Sequence, residues 1–166
     1  MARSWGLVIG LLLVAAHSTA SAAAGGWTPL RNERFGFQLE YPADILRPHR
    51  SSEGGDGWLF ASRDESAKLL VGAFRNAEKH TAASYQDFVA RRSYGGFPVT
   101  YAPRGRSWFV LSGERDGKIF YEKVMFSCQG GVITSFAMTY PSALRRAYDP
   151  VVERIENSFR PGPGCV

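Results

Sequence analysis

The chain has 166 residues, 45% of them apolar, with 20 Lys and Arg against 15 Asp and Glu and a formal charge of +5. That balance is too apolar for a disordered chain and too weakly charged for a polyelectrolyte tail, and Gly without period excludes a collagen-like repeat. Beyond residue 22, no run approaches the roughly 20 apolar residues that a membrane-spanning helix needs.

Residues 1–22 carry Arg3 as their only charge, then the apolar run Leu7–Ala16, then small residues that include Ala20-Ser21-Ala22 and Ala22-Ala23-Ala24. A basic start, a short apolar core and a small-residue exit read as a secretory signal peptide, with cleavage after Ala22 or Ala24. The expected address is the periplasm or the extracellular medium. Cleavage after Ala22 leaves 144 residues and a charge of +4. A chain of that length suits one core, so residues 27–160 are expected to form a single domain and residues 161–166 a Pro/Gly tail.

Phe35, Phe37, Leu39 and Tyr41 alternate with Gly or polar residues, the period of a half-buried strand. Ser51–Gly57 is a Gly-rich loop. Trp58–Ser62 and Lys68–Phe74 flank Arg63–Ser66 and predict a hairpin. Thr81 or Ser84 caps a helix whose stripe of Tyr85, Phe88, Val89 and Arg92 ends before Gly95-Gly96.

A second run of strands follows, at Val99–Tyr101, Trp108–Ser112, Lys118–Cys128 and Val132–Tyr140. Asp116-Gly117 and Gly130-Gly131 are the hairpin signals between the last three. In the final strand Val132, Thr134, Phe136, Met138 and Tyr140 share one face. The small residues Ser135, Ala137 and Thr139 on the other face predict close packing there, most simply by a helix. Tyr148, Val151, Val152, Ile155 and Phe159 form the stripe of a closing helix, with Glu153, Arg154 and Glu156 facing outward. Asp149-Pro150 fits its N-cap and first position, leaving Ser142–Ala147 as a separate turn; otherwise the helix is kinked at Pro150.

Phe37–Arg47 echoes Phe136–Arg146, and both read as a strand ending in an inward Tyr followed by a Pro-led turn. Two strand exits of one kind explain the echo better than duplication. In an oxidising compartment Cys128 and Cys165 are expected to form a disulfide that clasps the tail.

The opening Phe35-Gly36-Phe37-Gln38-Leu39-Glu40-Tyr41-Pro42 and the closing Ile155-Glu156-Asn157-Ser158-Phe159 resemble the ends of PsbP-like proteins. Ser107–Gly113, with Tyr121-Glu122-Lys123 after it, is similar to small exported bacterial proteins of unassigned function. The resemblance implies an α+β fold, an antiparallel β-sheet with helices packed on it as an α/β/α sandwich. It implies no photosynthetic role, because fold does not fix function.

No nucleophile-elbow, zinc-protease, Walker or dinucleotide-binding motif is present. His49 and His80 lack ligand-spaced partners and are expected in surface loops, so neither a metal site nor a cofactor is expected, and no catalytic residue is nominated. Ser112 could be grouped with His49 and either Asp44 or Asp56 for a hydrolase, although spacing does not select that triple. Sixteen of the 20 basic residues are Arg. Arg91, Arg92, Arg145 and Arg146 are the candidate anion patch, with Arg104 and Arg106 a further near-doublet. Tyr101, Trp108, Ser112, Tyr121 and Lys123 are the candidate binding surface if their strands present them on one face. The expected role is a non-catalytic binding or assembly accessory of the cell envelope, facing a protein partner or an anionic envelope component rather than nucleic acid. A hydrolase acting on an envelope component is the alternative, and a scaffold without ligand the third class.

Overall fold

The computed structural model describes residues 26–163 and Cys165; the leader and its two cleavage positions lie outside the described residues. Trp27–Arg31 (β1) and Gln38–Pro42 (β2) form a two-stranded antiparallel sheet. A second, seven-stranded sheet comprises Arg47–Ser51 (β3), Gly57–Ala61 (β4), Lys68–Arg75 (β5), Val99–Tyr101 (β6), Trp108–Arg115 (β7), Lys118–Ser127 (β8) and Val132–Pro141 (β9). Its order is β3-β4-β5-β9-β8-β7-β6, and every pair is antiparallel. The chain leaves β5 through helix Ala82–Arg92 (α1), starts again at the far edge, and meanders back so that β9 pairs with β5. Helix Arg145–Ser158 (α2) closes the chain. The result is the expected antiparallel sheet with helices packed on it.

The sheet has two different faces. On one, Leu69, Val71, Phe136, Met138 and Tyr140 meet Val151, Val152, Ile155 and Phe159, with Phe37, Leu39 and Tyr41 of the β1–β2 hairpin completing the core. Burial of side chains this size contributes about 1.5–3 kcal/mol each. On the other face a smaller core joins Ala82 and Val89 of α1 to Phe109, Leu111, Phe120, Val124 and Ile133.

Two strands were not expected. β1 contains Pro29, and β3 is Arg-Pro-His-Arg-Ser with every residue exposed. Neither carries an apolar period; each exists because a neighbour offers it a ladder. His49 is therefore an edge-strand residue, not a loop residue. The first expected strand begins later than its alternation suggests, at Gln38. Asn32 captures the preceding turn, its Oδ1 accepting from the Phe35 amide at 2.6 Å while its own amide donates to the Phe37 carbonyl at 2.8 Å. Phe35 and Phe37 are buried nonetheless.

Of four signals read from sequence, the first takes the expected form and three differ. The Asp116-Gly117 turn has positive φ at both residues, as a two-residue type I′ hairpin requires. The β8–β9 turn instead spans Cys128–Gly131, so Cys128 lies in the turn and not in the strand. Asp149 is not an N-cap: α2 already runs from Arg145 through Pro150, and the Asp149 carboxylate accepts from the Tyr140 hydroxyl at 2.7 Å. Tyr41 and Tyr140 both end their strands buried before a proline, as the echo suggests, but the first exit is one turn leading into β3.

The Cys128–Cys165 disulfide is present, with Cα atoms 5.3 Å apart. It clasps the tail after Arg160, whose amide and carbonyl pair with Gln38 at 2.9 and 3.0 Å. No helix among the described residues is long and apolar enough to cross a membrane.

Candidate functional site

The strand register sets out the α1-side face in rows. Arg47, Ala61, Lys68, Thr139 and Phe120 align across β3, β4, β5, β9 and β8; Arg50, Leu59, Leu70, Ala137 and Glu122 form the next row. Gly57, Gly72, Ser135 and Val124 form the third. α1 covers the β7–β8 end of these rows and Ile133. The β3–β4–β5–β9 end has no helix over it, so the close packing predicted on Ser135, Ala137 and Thr139 is not supplied from within the described residues. All three are half-buried, while Leu70 is 55% and Phe74 42% exposed.

This open half-face is a shallow trough of about 550 Å³. Gly57 and Gly72 form its floor as direct partners, and a Cβ on Gly57 would stand 2.6 Å from the Val71 carbonyl oxygen, so close backbone approach requires glycine there. Leu59, Leu70 and Phe74 rise from the floor. Arg47 and Arg50 stand exposed along the outer edge and make no ion pair among the described residues. Lys68 lies 3.9 Å from Glu65, and the one acid lining the trough, Asp56, is held by Arg34 at 2.6 Å.

α1 lies beside the trough and reaches it at Phe74 through Tyr85. Thr81 is its N-cap, its Oγ1 accepting from the Ser84 amide at 3.1 Å. The helix buries Ala82, Gln86 and Val89, while Phe88 is 42% exposed and Arg92 is exposed, a rotation from the expected stripe. The physical reason is Gln86. Its amide donates to the Ala102 and Val110 carbonyls at 3.2 and 3.3 Å and accepts from Arg104 at 3.1 Å, so a polar residue faces inward. Phe88 then stacks with Tyr85 at 5.8 Å and lies 5.6 Å from the His80 ring, and Tyr85 reaches Phe74 at 6.0 Å. His80 lies in the loop before α1 but is half-buried rather than open to solvent, with Glu78 2.9 Å from its ring. At the inner end of the second row Glu122 is buried. Loss of hydration raises its pKa above the ordinary carboxyl range, opposed by the Tyr94 hydroxyl donating at 2.7 Å.

Tyr101, Trp108, Ser112, Tyr121 and Lys123 do share a face, the α2 side of the sheet. Much of their chemistry is internal. Lys123 Nζ lies 2.7 Å from Glu156 and 5.7 Å from the Trp108 ring, Tyr121 donates to the same Glu156, and Ser112 donates to the Phe120 carbonyl. Tyr101, 56% exposed, is the open member. The four arginines are divided: Arg91 and Arg92 end α1 and Arg145 and Arg146 begin α2, helices on opposite faces, and Arg145 pairs with Glu114 at 2.8 Å. The hydrolase triple does not assemble. His49 and Ser112 lie on β3 and β7, five strand spacings apart and hence about 24 Å.

A groove of about 870 Å³ opens at the sheet end between Lys79, His80, Arg106, Phe126 and the Cys128–Gly131 turn. Asn76 builds it, donating to the His80 and Gly130 carbonyls at 2.8 Å each. Its wall carries the disulfide, which brings the tail to its rim. Sequence reading missed Asn76, Gln86 and the Arg50–Leu59–Leu70 row. The surplus of apolar residues on both faces of Lys68–Phe74 was the available signal for the last.

No protein-family model matches the sequence, and no curated protein matches it at a significant level. The fold is similar to that of cyanobacterial PsbP (CyanoP) from Synechocystis sp. PCC 6803, with a TM-score of 0.60 at 13% identity, covering 88% of this chain and 98% of that one. It is also similar to the Ran-binding protein Mog1p of Saccharomyces cerevisiae, with a TM-score of 0.54 at 9% identity, covering 82% of this chain and 96% of that one. The fold is thus PsbP-like, as the strand and helix ends suggested. At these identities the likeness is one of architecture.

Proposed function

We propose that this protein is an exported, non-catalytic binding or assembly accessory of the cell envelope, built as one domain over residues 27–160, that docks a protein partner on its open half-face. The observation that carries the reading is Leu70 and Phe74, both substantially exposed on a sheet face floored with small residues, with exposed Phe88 near Phe74. Contiguous exposed apolar surface of this kind marks interaction sites in soluble proteins. The leader composition and the disulfide support export, and the printed description of one similar structure, a Ran-binding protein, supports protein binding on this fold. Tyr101, Trp108, Ser112, Tyr121 and Lys123 are a secondary contact, with Tyr101 as the exposed member.

A photocrosslinking residue at position 70, compared in the native host with one at Glu153 on α2, tests the docking. A discrete partner adduct from position 70 alone is expected; equal or no adducts from both positions overturn the reading. Export is tested by N-terminal sequencing of the mature protein, expected to begin at Ala23 or Gly25. Retention of residues 1–22 would overturn it.

A further inference from the structure

We infer that the occupant of the open half-face is an acidic amphipathic helix of about three turns contributed by the partner; this rests on the docking reading above and adds the partner's chemistry.

Shape is the first ground. The five-residue strand β4 is about 17 Å long, and the 11-residue α1, which covers the other half of the same face, is likewise about 16 Å long. The Phe74 and Tyr85 rings, 6.0 Å apart, bring β5 and α1 together at one end of this face. A helix laid along β5 would therefore touch α1 through Phe88 and Tyr85 and the sheet through Leu70 and Phe74, with Gly57, Gly72, Ser135 and Ala137 admitting its ridge. A strand adding to the sheet edge fits less well. β3 carries Pro48 and a register shift between Pro48 and Arg50, both devices that blunt an edge.

Charge is the second ground. Arg47 and Arg50 line the outer edge unpaired among the described residues, Lys68 stands inside them, and Asp56 is already engaged by Arg34. Glu122 at the inner edge is buried, with the Tyr94 hydroxyl donating to it. A helix with an apolar stripe and Glu or Asp on its outer flank complements this rim. A second copy of the chain would bring a basic rim toward a basic rim.

The test uses the mature protein and two synthetic helical peptides of 14 residues. Both carry Leu at i, i+3, i+4 and i+7, with Glu flanking the stripe in one and Lys in the other. The Glu peptide is expected to bind at least tenfold tighter, to perturb the Leu70, Phe74 and Phe88 amide resonances, and to weaken severalfold between 0.05 and 0.5 M salt. Leu70→Asp, on an exposed side chain, should abolish binding, and Arg47→Glu with Arg50→Glu should reverse the peptide preference. Equal binding of the two peptides, or binding of neither while position 70 still crosslinks a partner, overturns the acidic-helix assignment and leaves partner docking standing. Glu-peptide binding without any crosslinked partner overturns the docking function and leaves the surface chemistry standing. Concentration-dependent dimerisation abolished by Leu70→Asp would assign the face to a second copy and overturn the proposal.

Discussion

The Lys123 ammonium stands 2.7 Å from one oxygen of the Glu156 carboxylate while the Tyr121 hydroxyl donates to the other. Both charged side chains are less than a third exposed, so this clamp between β8 and α2 is largely shielded from solvent. Glu156→Gln keeps the shape but leaves Lys123 without its counter-charge. It should cost about 1–3 kcal/mol, read as a lower urea midpoint at unchanged slope. Lys123→Met in the same background should restore part of the loss. An unchanged midpoint in Glu156→Gln would show that the clamp contributes nothing.

Glu122 gives a pH dependence of known sign. Loss of hydration on burial is the main cause of its raised pKa, and the Tyr94 hydrogen bond only partly offsets it. The folded state therefore holds this proton more tightly than the unfolded chain does. The associated stability is complete below the ordinary carboxyl value and declines as pH rises through the raised folded value. Glu122→Gln, which can still accept from Tyr94, should match wild type near pH 4 and exceed it at pH 8. Parallel stability curves across that range would refute the assignment.

These two sites also show what could be read in the sequence. Tyr121 and Lys123 were legible as members of one face because a strand alternates with period two and Asp116-Gly117 fixes the hairpin register. Their partner Glu156 was not, since the α2 stripe places it on the outward side and only the packing of α2 across β8 brings it in. The disulfide was legible because two cysteines allow one pairing. β3 was not, because Arg-Pro-His-Arg-Ser has no local preference for a strand and follows the ladder offered by β4. The open half-face was not legible either: the small residues Ser135, Ala137 and Thr139 suggest close packing by a helix, but α1 covers the β7–β8 end instead, because periodicity along one strand does not say which part of the sheet a helix reaches.

Gln86 should be an anchor for the segment that precedes β7. It is 6% exposed, and its donors and acceptor tie α1 to Ala102, Arg104 and Val110. Gln86→Leu preserves helix propensity and approximate volume but leaves the Ala102 and Val110 carbonyls without this donor. A loss of about 1–3 kcal/mol is expected, with faster amide exchange concentrated at residues 102–107. Loss of stability without local exchange in that segment would point to packing rather than anchoring.

The tail separates a constraint on the unfolded chain from a contact in the folded one. Cys128 and Cys165 are 37 residues apart, so replacing both by Ser should lower stability by about 3–4 kcal/mol in the chain-entropy model. Gly162 acts differently: a Cβ there would run into the Phe35 carbonyl oxygen, so Gly162→Ala must lift the tail from the Phe35-Gly36 turn even with the disulfide closed. Overpacking of this kind costs about 1–3 kcal/mol. Because Arg160 is paired with Gln38 in both directions, native-state proteolysis of the Ser variant should cut only after residue 160 and leave the sheet intact. Cleavage reaching into α2 would show that the clasp supports the larger core as well as the tail.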